Sequence, residues 1–200
     1  MAKTICVFGA STAYGKGDNE KGGWVNRLRL SLEKENNVIV YNFGIIGETT
    51  RELIERFTND CYSRNPDIII FAIGDNDSSY VDREGNNRVE IDEYELNIEE
   101  LIKKAKEFTD KIVFVGLKKV DEERTMPLTW KKNIYFKNKN IIEYDERLRH
   151  VTKAEDIHYL SIFDSLELRD LSDGLHPDKN GHHKISVKVK DFLVRNKWVK

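Results

Sequence analysis

The sequence predicts an α/β protein, a three-layer α/β/α sandwich around a five-stranded parallel sheet. Two observations predict this fold class. Apolar segments rich in β-branched residues alternate with amphipathic helical patterns along the chain, and several of these segments are apolar almost throughout. Alternating strands and helices imply right-handed crossovers between parallel strands, and strands that are apolar on both faces are typical of a sheet covered by two helical layers.

The strands are predicted from short segments of β-branched and aromatic residues. The clearest is the run at residues 68–73, where every residue is apolar. A helical pattern follows each of these segments, and this order is typical of a flavodoxin-like sheet. The predicted strands are residues 4–8, 37–43, 67–73, 111–117 and 157–163.

The helices are predicted from apolar residues that recur with the spacing of one helical face. We interpret these stripes as core positions and not as cofactor-binding sequences. His182 and His183, just before the last stripe, are expected at the surface or along the helix. The stripes are Trp24, Val25, Leu28 and Leu32; Leu53, Ile54, Phe57 and Cys61; Tyr94, Ile98, Leu101, Ile102 and Ala105; Ile141, Ile142, Tyr144 and Leu148; and Ile185, Val189, Phe192 and Leu193.

The composition indicates one globular domain without a strong electrostatic preference. The chain of 200 residues has no linker rich in Pro, Gly or Ser, so we expect a single domain spanning residues 1–200. Lysine and arginine number 33, and aspartate and glutamate number 35, so no strong field attracts nucleic acid or an anionic membrane. This balance favours a small or neutral partner, and it leaves the oligomeric state open.

Neither a targeting segment nor a metal site is predicted. The N-terminal apolar run reaches Gly9 too soon for a signal peptide, and no segment has the length of a membrane span, so we expect a soluble, cytoplasmic protein. Cys6 and Cys61 are expected as buried free thiols. No cluster of Cys, His and carboxylate residues has zinc-ligand spacing, and we expect no metal or other cofactor.

The loops after the strands are the expected place for a site, because open parallel sheets bind ligands beyond the carboxyl ends of their strands. Polar candidates occur in four of these loops. They lie at residues 9–11, 44–49 and 74–77, and in the segment that follows the last strand and leads to Asp173 and His176.

Ser11 is the candidate nucleophile. It follows an apolar strand and Gly9 and precedes a helix, so its hydroxyl and its backbone N–H could both face the edge of the sheet. A serine hydroxyl is a poor nucleophile unless a base removes its proton. The alternative interpretation is that Ser11 is an ordinary turn or helix-capping residue.

The candidate base is His176, which alone among the 5 histidines has a nearby carboxylate in a loop punctuated by glycine and proline. Asp173 lies three positions earlier, close enough to bind one ring nitrogen and leave the other free for Ser11. Gly174 permits a tight bend between the two residues, and Pro177 restrains the backbone of His176. The alternative is an aspartate that caps the last helix beside an incidental histidine.

Acyl transfer also needs hydrogen-bond donors aimed at the developing oxyanion. Gly47 could supply a backbone N–H, and Asn76 could supply a side-chain amide. The alternative is that Gly44 and Gly47 are turn glycines, and that Asn76 and Asp77 are turn or capping residues.

Two longer segments, residues 78–89 and 118–138, also follow strands and combine charged residues with aromatic ones. They could form the walls of a substrate pocket. The alternative is that they are solvated connections, each held by a packed aromatic anchor.

Together, these motifs resemble the ordered sequence blocks of the SGNH hydrolase superfamily, the GDSL-type esterases and lipases. The resemblance implies Ser11 as the nucleophile and Asp173 and His176 as its triad partners. It implies Gly47 and Asn76 as oxyanion donors beside the Ser11 N–H. Ala10 departs from the family, which has aspartate there, but this position is not a catalytic one. The matching blocks are Gly9-Ala10-Ser11, Asn42-x-Gly44-x-x-Gly47, Gly74-x-Asn76-Asp77 and Asp173-x-x-His176-Pro177.

Two nucleotide-binding motifs and the motif of another hydrolase fold fit the sequence less well. Gly15-Lys16 comes one residue too late for a phosphate-binding loop, and Gly17 stands where serine or threonine is required. A Rossmann site lacks its third glycine, because Glu20 stands there, and its acid after the second strand. The serine of an α/β-hydrolase elbow should follow a strand in the middle of the chain, whereas Ser11 follows the first strand.

The sequence therefore predicts a serine esterase that hydrolyses a small acyl ester, such as a short-chain or O-acetyl ester, through an acyl-enzyme. It needs neither a metal nor a nucleotide cofactor. Acyl thioesters and lysophospholipids are alternative substrates for the same fold, and a non-catalytic ligand-binding module is the alternative of a different class. All five catalytic groups are present, whereas a degenerate module would be expected to have lost some of them.

Overall fold

The computed structural model describes residues 2–200, with the side chains of residues 34–36 left out. Strands and helices alternate along the chain, as the sequence predicts. In order, the elements are β1 (Lys3–Gly9), α1 (Ser11–Tyr14), α2 (Gly23–Asn36), β2 (Val38–Gly44), α3 (Thr50–Tyr62), β3 (Ile68–Ala72), β4 (Tyr80–Val81), α4 (Ile91–Lys106), β5 (Ile112–Val115), α5 (Glu122–Thr125), β6 (Ile134–Tyr135), α6 (Asn138–Ala154), β7 (His158–Leu160) and α7 (Lys179–Arg195), with short 3₁₀ turns at Phe163–Ser165 and Leu168–Asp170.

The main sheet has 5 strands in the order β2-β1-β3-β5-β7, and every neighbouring pair is parallel. This is the flavodoxin-like strand order, so the predicted fold class is confirmed. The order reverses between β1 and β3, and the loops that follow these two strands therefore diverge. Such a switch point leaves a crevice at the carboxyl ends of the strands, where ligands of these sheets bind.

The central strand β1 shows why the sheet carries a helical layer on each face. Its side chains alternate between two cores, because successive residues of a strand point to opposite faces. Cys6 and Phe8 pack in one core with α3, α4 and α6, whereas Ile5 and Val7 pack in the other with α2 and α7. All four side chains are fully buried, and burial of a large apolar side chain contributes roughly 1.5–3 kcal/mol. The strand that ends at the candidate nucleophile is thus firmly held on both faces.

The five predicted apolar stripes all lie on helices, with two corrections. Ile142 on α6 is 40 % exposed, because the buried face of that helix runs through Ile141, Tyr144 and Leu148 instead. His182, expected at the surface or along the helix, is fully buried on α7. The last strand is also shorter than predicted, since the chain turns into a 3₁₀ helix at Phe163.

The two long segments that follow β3 and β5 are joined to each other. They pair as an antiparallel ladder, with Tyr80 opposite Tyr135 and Val81 opposite Ile134. The Asn140 side-chain amide at the start of α6 donates to the Ser78 carbonyl and fixes the base of this arm. The segments therefore form one continuous wall along the carboxyl edge of the sheet.

Cys6 and Cys61 are buried free thiols, as predicted. Burial raises the pKa of Cys6 to about 12 and also raises that of Cys61, so both thiols stay protonated and unreactive at neutral pH. Within residues 2–200, no helix combines the length and the apolar character that crossing a bilayer requires.

Candidate active site

A cavity of about 270 Å³ lies at the carboxyl ends of β1 and β3, at the switch point of the sheet. It contains four of the five residues that the sequence singles out, and the fifth, Asp173, lies behind His176. The lining residues are Ser11, Ile46, Gly47, Asn76, Arg88, Leu128, Trp130, Lys131, Ile134, Phe136, Leu175 and His176.

Ser11 is held in place by the ends of two strands. It is the first residue of the short helix α1, which begins directly after β1, so its backbone N–H belongs to the first turn and has no partner within the helix. The Ala10 N–H donates to the Ala72 carbonyl at the end of β3. The Asn42 amide at the end of β2 donates to the Ala13 carbonyl over 2.9 Å and fixes α1 from the other side.

His176 joins Ser11 to Asp173. Its Nε2 lies 3.0 Å from the Ser11 Oγ, and its Nδ1 lies 2.7 Å from the Asp173 Oδ2. The other carboxylate oxygen of Asp173 accepts the backbone N–H groups of Leu175 and His176, over 3.0 and 2.8 Å. The aspartate therefore fixes both the ring and the backbone of the histidine.

Gly174 makes this tight arrangement possible. Its φ is +90°, a region that favours glycine, and a Cβ built there would lie 2.6 Å from the Arg124 Cβ. A side chain at this position would therefore push the Asp173–His176 turn away from the sheet edge.

The hydrogen-bond partners fix the proton on His176. A carboxylate only accepts, so the hydrogen of the neutral ring lies on Nδ1, and the Nε2 lone pair faces the Ser11 hydroxyl. Burial raises the pKa of Asp173, but hydrogen bonds from the His176 ring and from the backbone outweigh it and lower the value to about 2. Asp173 is thus ionised at any pH at which the protein would operate, and the ring can accept a proton from Ser11.

Two further donors face the same cavity. Gly47 has a φ of +83°, and its backbone N–H has no acceptor among residues 2–200. The Asn76 amide donates one hydrogen to the Glu48 carbonyl over 2.8 Å, and its second hydrogen has no acceptor within the described part of the chain. With the Ser11 N–H, these groups could hold a negatively charged oxygen at the cavity.

Buried ionic contacts that sequence reasoning missed support the Gly47 loop. Arg56 on α3 binds both carboxylate oxygens of Glu48, over 2.5 and 2.6 Å, and also donates to the Phe43 carbonyl. Such a bidentate pair fixes orientation as well as distance. The sequence gives no local signal for this contact, because Glu48 precedes α3 and Arg56 lies within it.

Asp77 has a structural role beside Asn76. It is fully buried, and its Oδ1 accepts the backbone N–H and the hydroxyl of Thr50, the first residue of α3. Burial raises the pKa of Asp77 to about 6 against these hydrogen bonds. The capping interpretation therefore applies to Asp77, whereas Asn76 points to the cavity.

The start of α7 shows that Asp173 is not the residue that caps this helix. Asp178, and not Asp173, caps α7, because its side chain accepts the N–H groups of Asn180 and Gly181. The fully buried His182 also lies outside the cavity. Its Nδ1 accepts the Trp24 N–H, and its Nε2 donates to the Lys16 carbonyl.

Trp130 covers the outer face of His176. The two rings stack with their centroids 5.9 Å apart and an interplanar angle of 28°. Trp130 comes from the segment at residues 118–138, so this segment forms a wall of the cavity together with Arg88 of residues 78–89. Of the two interpretations of these segments, the pocket wall is the one that the structure has.

A family model described as the GDSL-like lipase/acylhydrolase family matches residues 7–184. The chain belongs to this family. It is therefore a hydrolase of ester bonds, and the matched range includes every residue that lines the cavity. No protein with a curated function matches this GDSL-family chain in sequence.

Solved structures of GDSL-type and related hydrolases share the fold at low identity. A lipase/acylhydrolase from Enterococcus faecalis is 17% identical, with a TM-score of 0.78, over 99% of this chain and 97% of that one. Axe2, an acetylxylan esterase from Geobacillus stearothermophilus, is 20% identical, with a TM-score of 0.74, over 96% and 92%. LAE5, an α/β hydrolase enzyme from the metagenome of Lake Arreo in Spain, is 20% identical, with a TM-score of 0.74, over 97% and 95%.

Proposed function

We propose that this GDSL-family hydrolase cleaves a small acyl ester through a covalent acyl-enzyme formed on Ser11. The observation that carries the proposal is the continuous hydrogen-bonded chain from Asp173 through His176 to Ser11, which ends in a cavity with unpaired N–H donors. This combination of nucleophile, base, orienting carboxylate and oxyanion donors is what acyl transfer requires.

In the first half of the reaction, the Ser11 Oγ attacks the carbonyl carbon of the ester while its proton passes to Nε2 of His176. The 3.0 Å contact between these atoms is within the range for direct proton transfer. Asp173 stabilises the imidazolium that forms, since its carboxylate is ionised and bonded to Nδ1. The imidazolium then gives its Nε2 proton to the departing alcohol oxygen.

The carbonyl oxygen becomes negatively charged in the tetrahedral intermediate. We assign its stabilisation to the N–H groups of Ser11 and Gly47 and to the free hydrogen of the Asn76 amide. Donors held in place before the reaction do not need to reorganise when the charge develops, and this is the source of their effect.

In the second half, a water molecule attacks the acyl-enzyme. His176 accepts a proton from this water and returns it to the Ser11 Oγ as the carbon–oxygen bond breaks. The products are a carboxylic acid and the regenerated enzyme, so the cycle is balanced without a cofactor.

The size of the cavity supports a small acyl group. At about 270 Å³ it is slightly below the range of roughly 300–1,000 Å³ that is typical of sites for drug-sized ligands. Leu128, Ile134, Phe136 and Leu175 supply apolar contacts beside Ser11. The structural neighbour that acts on acetylxylan suggests O-acetyl esters as one group of substrates to test.

The test is the hydrolysis of p-nitrophenyl esters of increasing chain length, and of acetylated saccharides, by the wild type and by Ser11→Ala. We expect turnover that is highest for short chains, and a loss of about 10⁴-fold or more in the variant, because no other group replaces the nucleophile. The melting temperature should be nearly unchanged.

The exposed Ser63 provides the matched control, since Ser63→Ala removes a hydroxyl just after α3 that, within residues 2–200, bonds to the Asp60 carbonyl. That variant should keep full activity. A Ser11→Ala enzyme with most of its activity would show that Ser11 is not the nucleophile.

A further inference from the structure

Arg88 places a positive charge on the wall of the cavity. Its backbone is fixed, because its N–H donates to the Ser79 carbonyl and its own carbonyl accepts from the Arg51 side chain. Its side chain lines the same cavity as Ser11 and is 29% exposed. The guanidinium thus lies in a partly desolvated position within reach of a ligand.

The guanidinium of Arg88 has no hydrogen-bond acceptor among residues 2–200. The nearest carboxylate is that of Glu52, at 3.8 Å, which is longer than a hydrogen bond. The Oε2 of Glu52 accepts the Thr49 N–H over 2.8 Å and the Thr49 hydroxyl, in the capping box of α3. A guanidinium carries five N–H donors, so Arg88 still has donors for an oxyanion, although the Oε1 of Glu52 offsets part of its charge.

The other partly buried arginines behave differently. Arg27 donates to Asp18 over 2.7 Å, and Arg56 donates to Glu48 over 2.5 Å. Both are paired internally and hold the fold together. Arg88 is half-buried in the site and has only the longer ion pair of 3.8 Å with Glu52, without a hydrogen bond, so its N–H donors remain open to a ligand group.

The remaining charges at the cavity strengthen this contrast. Lys131 is the second cation of the lining, and no aspartate or glutamate is among the residues that line the described cavity. The whole chain has a formal net charge of −2, so the two cations of the lining are not part of a generally basic protein. An anionic group on the substrate would meet two cations in the lining, and the carboxylate nearest to Arg88, that of Glu52, lies outside the lining.

We infer that the substrate is an ester that bears a negatively charged oxyanion group, such as a carboxylate, which Arg88 binds while the ester carbonyl lies at Ser11. This inference rests on the proposed function and specifies its substrate class. The anion belongs either to the acyl part or to the alcohol part of the ester, and the two sources call for separate substrates.

The test compares two pairs of esters. The acyl pair is 4-nitrophenyl hemisuccinate and its neutral isostere, 4-nitrophenyl 4-methylpentanoate. The alcohol pair is 4-carboxyphenyl acetate and its methyl ester. Each pair gives a ratio of kcat/KM for the anionic ester over the neutral one, and comparison between enzyme variants removes the intrinsic reactivity of the substrates.

We expect Arg88→Gln to lower the ratio about tenfold for one of the two pairs, mainly through KM, because a charged hydrogen bond to the substrate is lost. Arg88→Lys should restore part of the ratio, since it keeps the charge but not the bidentate geometry. Raising the salt concentration should reduce the preference of the wild type. Arg83→Gln, on the same exposed segment but outside the cavity, should leave the ratio unchanged.

Wild-type enzyme that hydrolyses the neutral esters through Ser11, with ratios that Arg88→Gln leaves unchanged in both pairs, would overturn this inference and leave the proposed function intact. A ratio that depends on Lys131 and not on Arg88 would overturn the assignment to Arg88. Absence of hydrolysis for all four esters would overturn the proposed function itself, and the inference with it.

Discussion

Two buried histidines lie six positions apart, on either side of the start of α7, and both reach back to the segment that follows β1. His176 is 6% exposed and His182 is fully buried. Each ring is bonded through both nitrogens. His176 binds a carboxylate and the Ser11 hydroxyl, whereas His182 binds the backbone at Trp24 and Lys16.

The partners give the two neutral rings opposite tautomers. His176 carries its hydrogen on Nδ1, facing Asp173, and presents a lone pair to Ser11. His182 carries its hydrogen on Nε2, facing the Lys16 carbonyl, and its Nδ1 lone pair is used by the Trp24 N–H. Burial and full hydrogen bonding are therefore not signs of catalysis by themselves. The difference is that the free lone pair of His176 faces a hydroxyl in an open cavity.

The largest expected effect comes from removing the base. His176→Gln should lower kcat by about 10⁴-fold or more, because no other group accepts the Ser11 proton. Steady-state kinetics on a short-chain ester measure the loss. His183, an exposed histidine on α7, provides the matched control, and His183→Gln should be fully active. Comparable activity in the two variants would show that His176 is not the catalytic base.

A pair of asparagines sharpens the same contrast between chemistry and support. Asn76→Ala should lower kcat by about 10²–10³-fold, roughly 3–4 kcal/mol in the transition state, because one oxyanion donor is lost. Asn97 donates to the Thr50 hydroxyl, which in turn donates to Asp77, the residue after Asn76. Asn97 is thus connected to the cavity only indirectly, and Asn97→Ala should affect mainly the melting temperature. Turnover numbers and melting temperatures, measured on the same preparations, distinguish a loss of catalysis from a loss of stability. If Asn76→Ala is destabilised but fully active, Asn76 is a turn residue.

His182 should show the opposite pattern to His176. His182→Ala leaves the buried Trp24 N–H and the partly buried Lys16 carbonyl without partners, so we expect a loss of about 3 kcal/mol in the free energy of unfolding. The folded fraction should keep kcat within about threefold. Urea unfolding and active-site titration separate the two quantities. A stable variant without activity would mean that His182 acts in the reaction.

The smallest expected effect is the pH dependence of the contribution that His182 makes to the free energy of unfolding. Burial lowers the pKa of His182 below 6.5, opposed by its hydrogen bond to Lys16 and the Asp18 charge and aided by the charges of Arg27 and Lys118. Below pH 6.5 the unfolded chain binds the proton more readily than the folded one, so the stabilisation is present above that pH and is lost as the pH falls. The stability difference between wild type and His182→Ala should therefore be larger at pH 8 than at pH 5. An equal difference at both values would contradict a neutral buried ring.

Much of the fold follows from local pattern. The five strands and the helices between them are present because their apolar periodicities are strong and agree with the burial that the sheet requires. The burial of His182 was also readable, since it lies three and seven positions before Ile185 and Val189 on the same buried face. We expected it at the surface or along the helix, and the structure places it along the helix on the buried face. That residues 1–200 form one domain stays a prediction.

The contacts that could not be predicted are long-range ones. The β4–β6 ladder joins Tyr80 to Tyr135, and strands of two residues have no periodicity of their own. The buried pair of Lys118 with Asp75, 2.8 Å apart, has no local signal either, because lysine is mostly exposed. The position of the five candidate residues at one edge could be predicted, because each follows a strand and the ends of parallel strands meet there. Their catalytic roles remain a proposal.

The most direct test of the central claim, that His176 and not His182 activates Ser11, is covalent labelling with a fluorophosphonate followed by peptide mass spectrometry. We expect a single adduct on the peptide that contains Ser11 in the wild type. The labelling rate should fall by about 10³-fold or more in His176→Gln and stay within about threefold in folded His182→Ala. An adduct on another residue, or labelling of His176→Gln at the wild-type rate, would contradict the proposed mechanism.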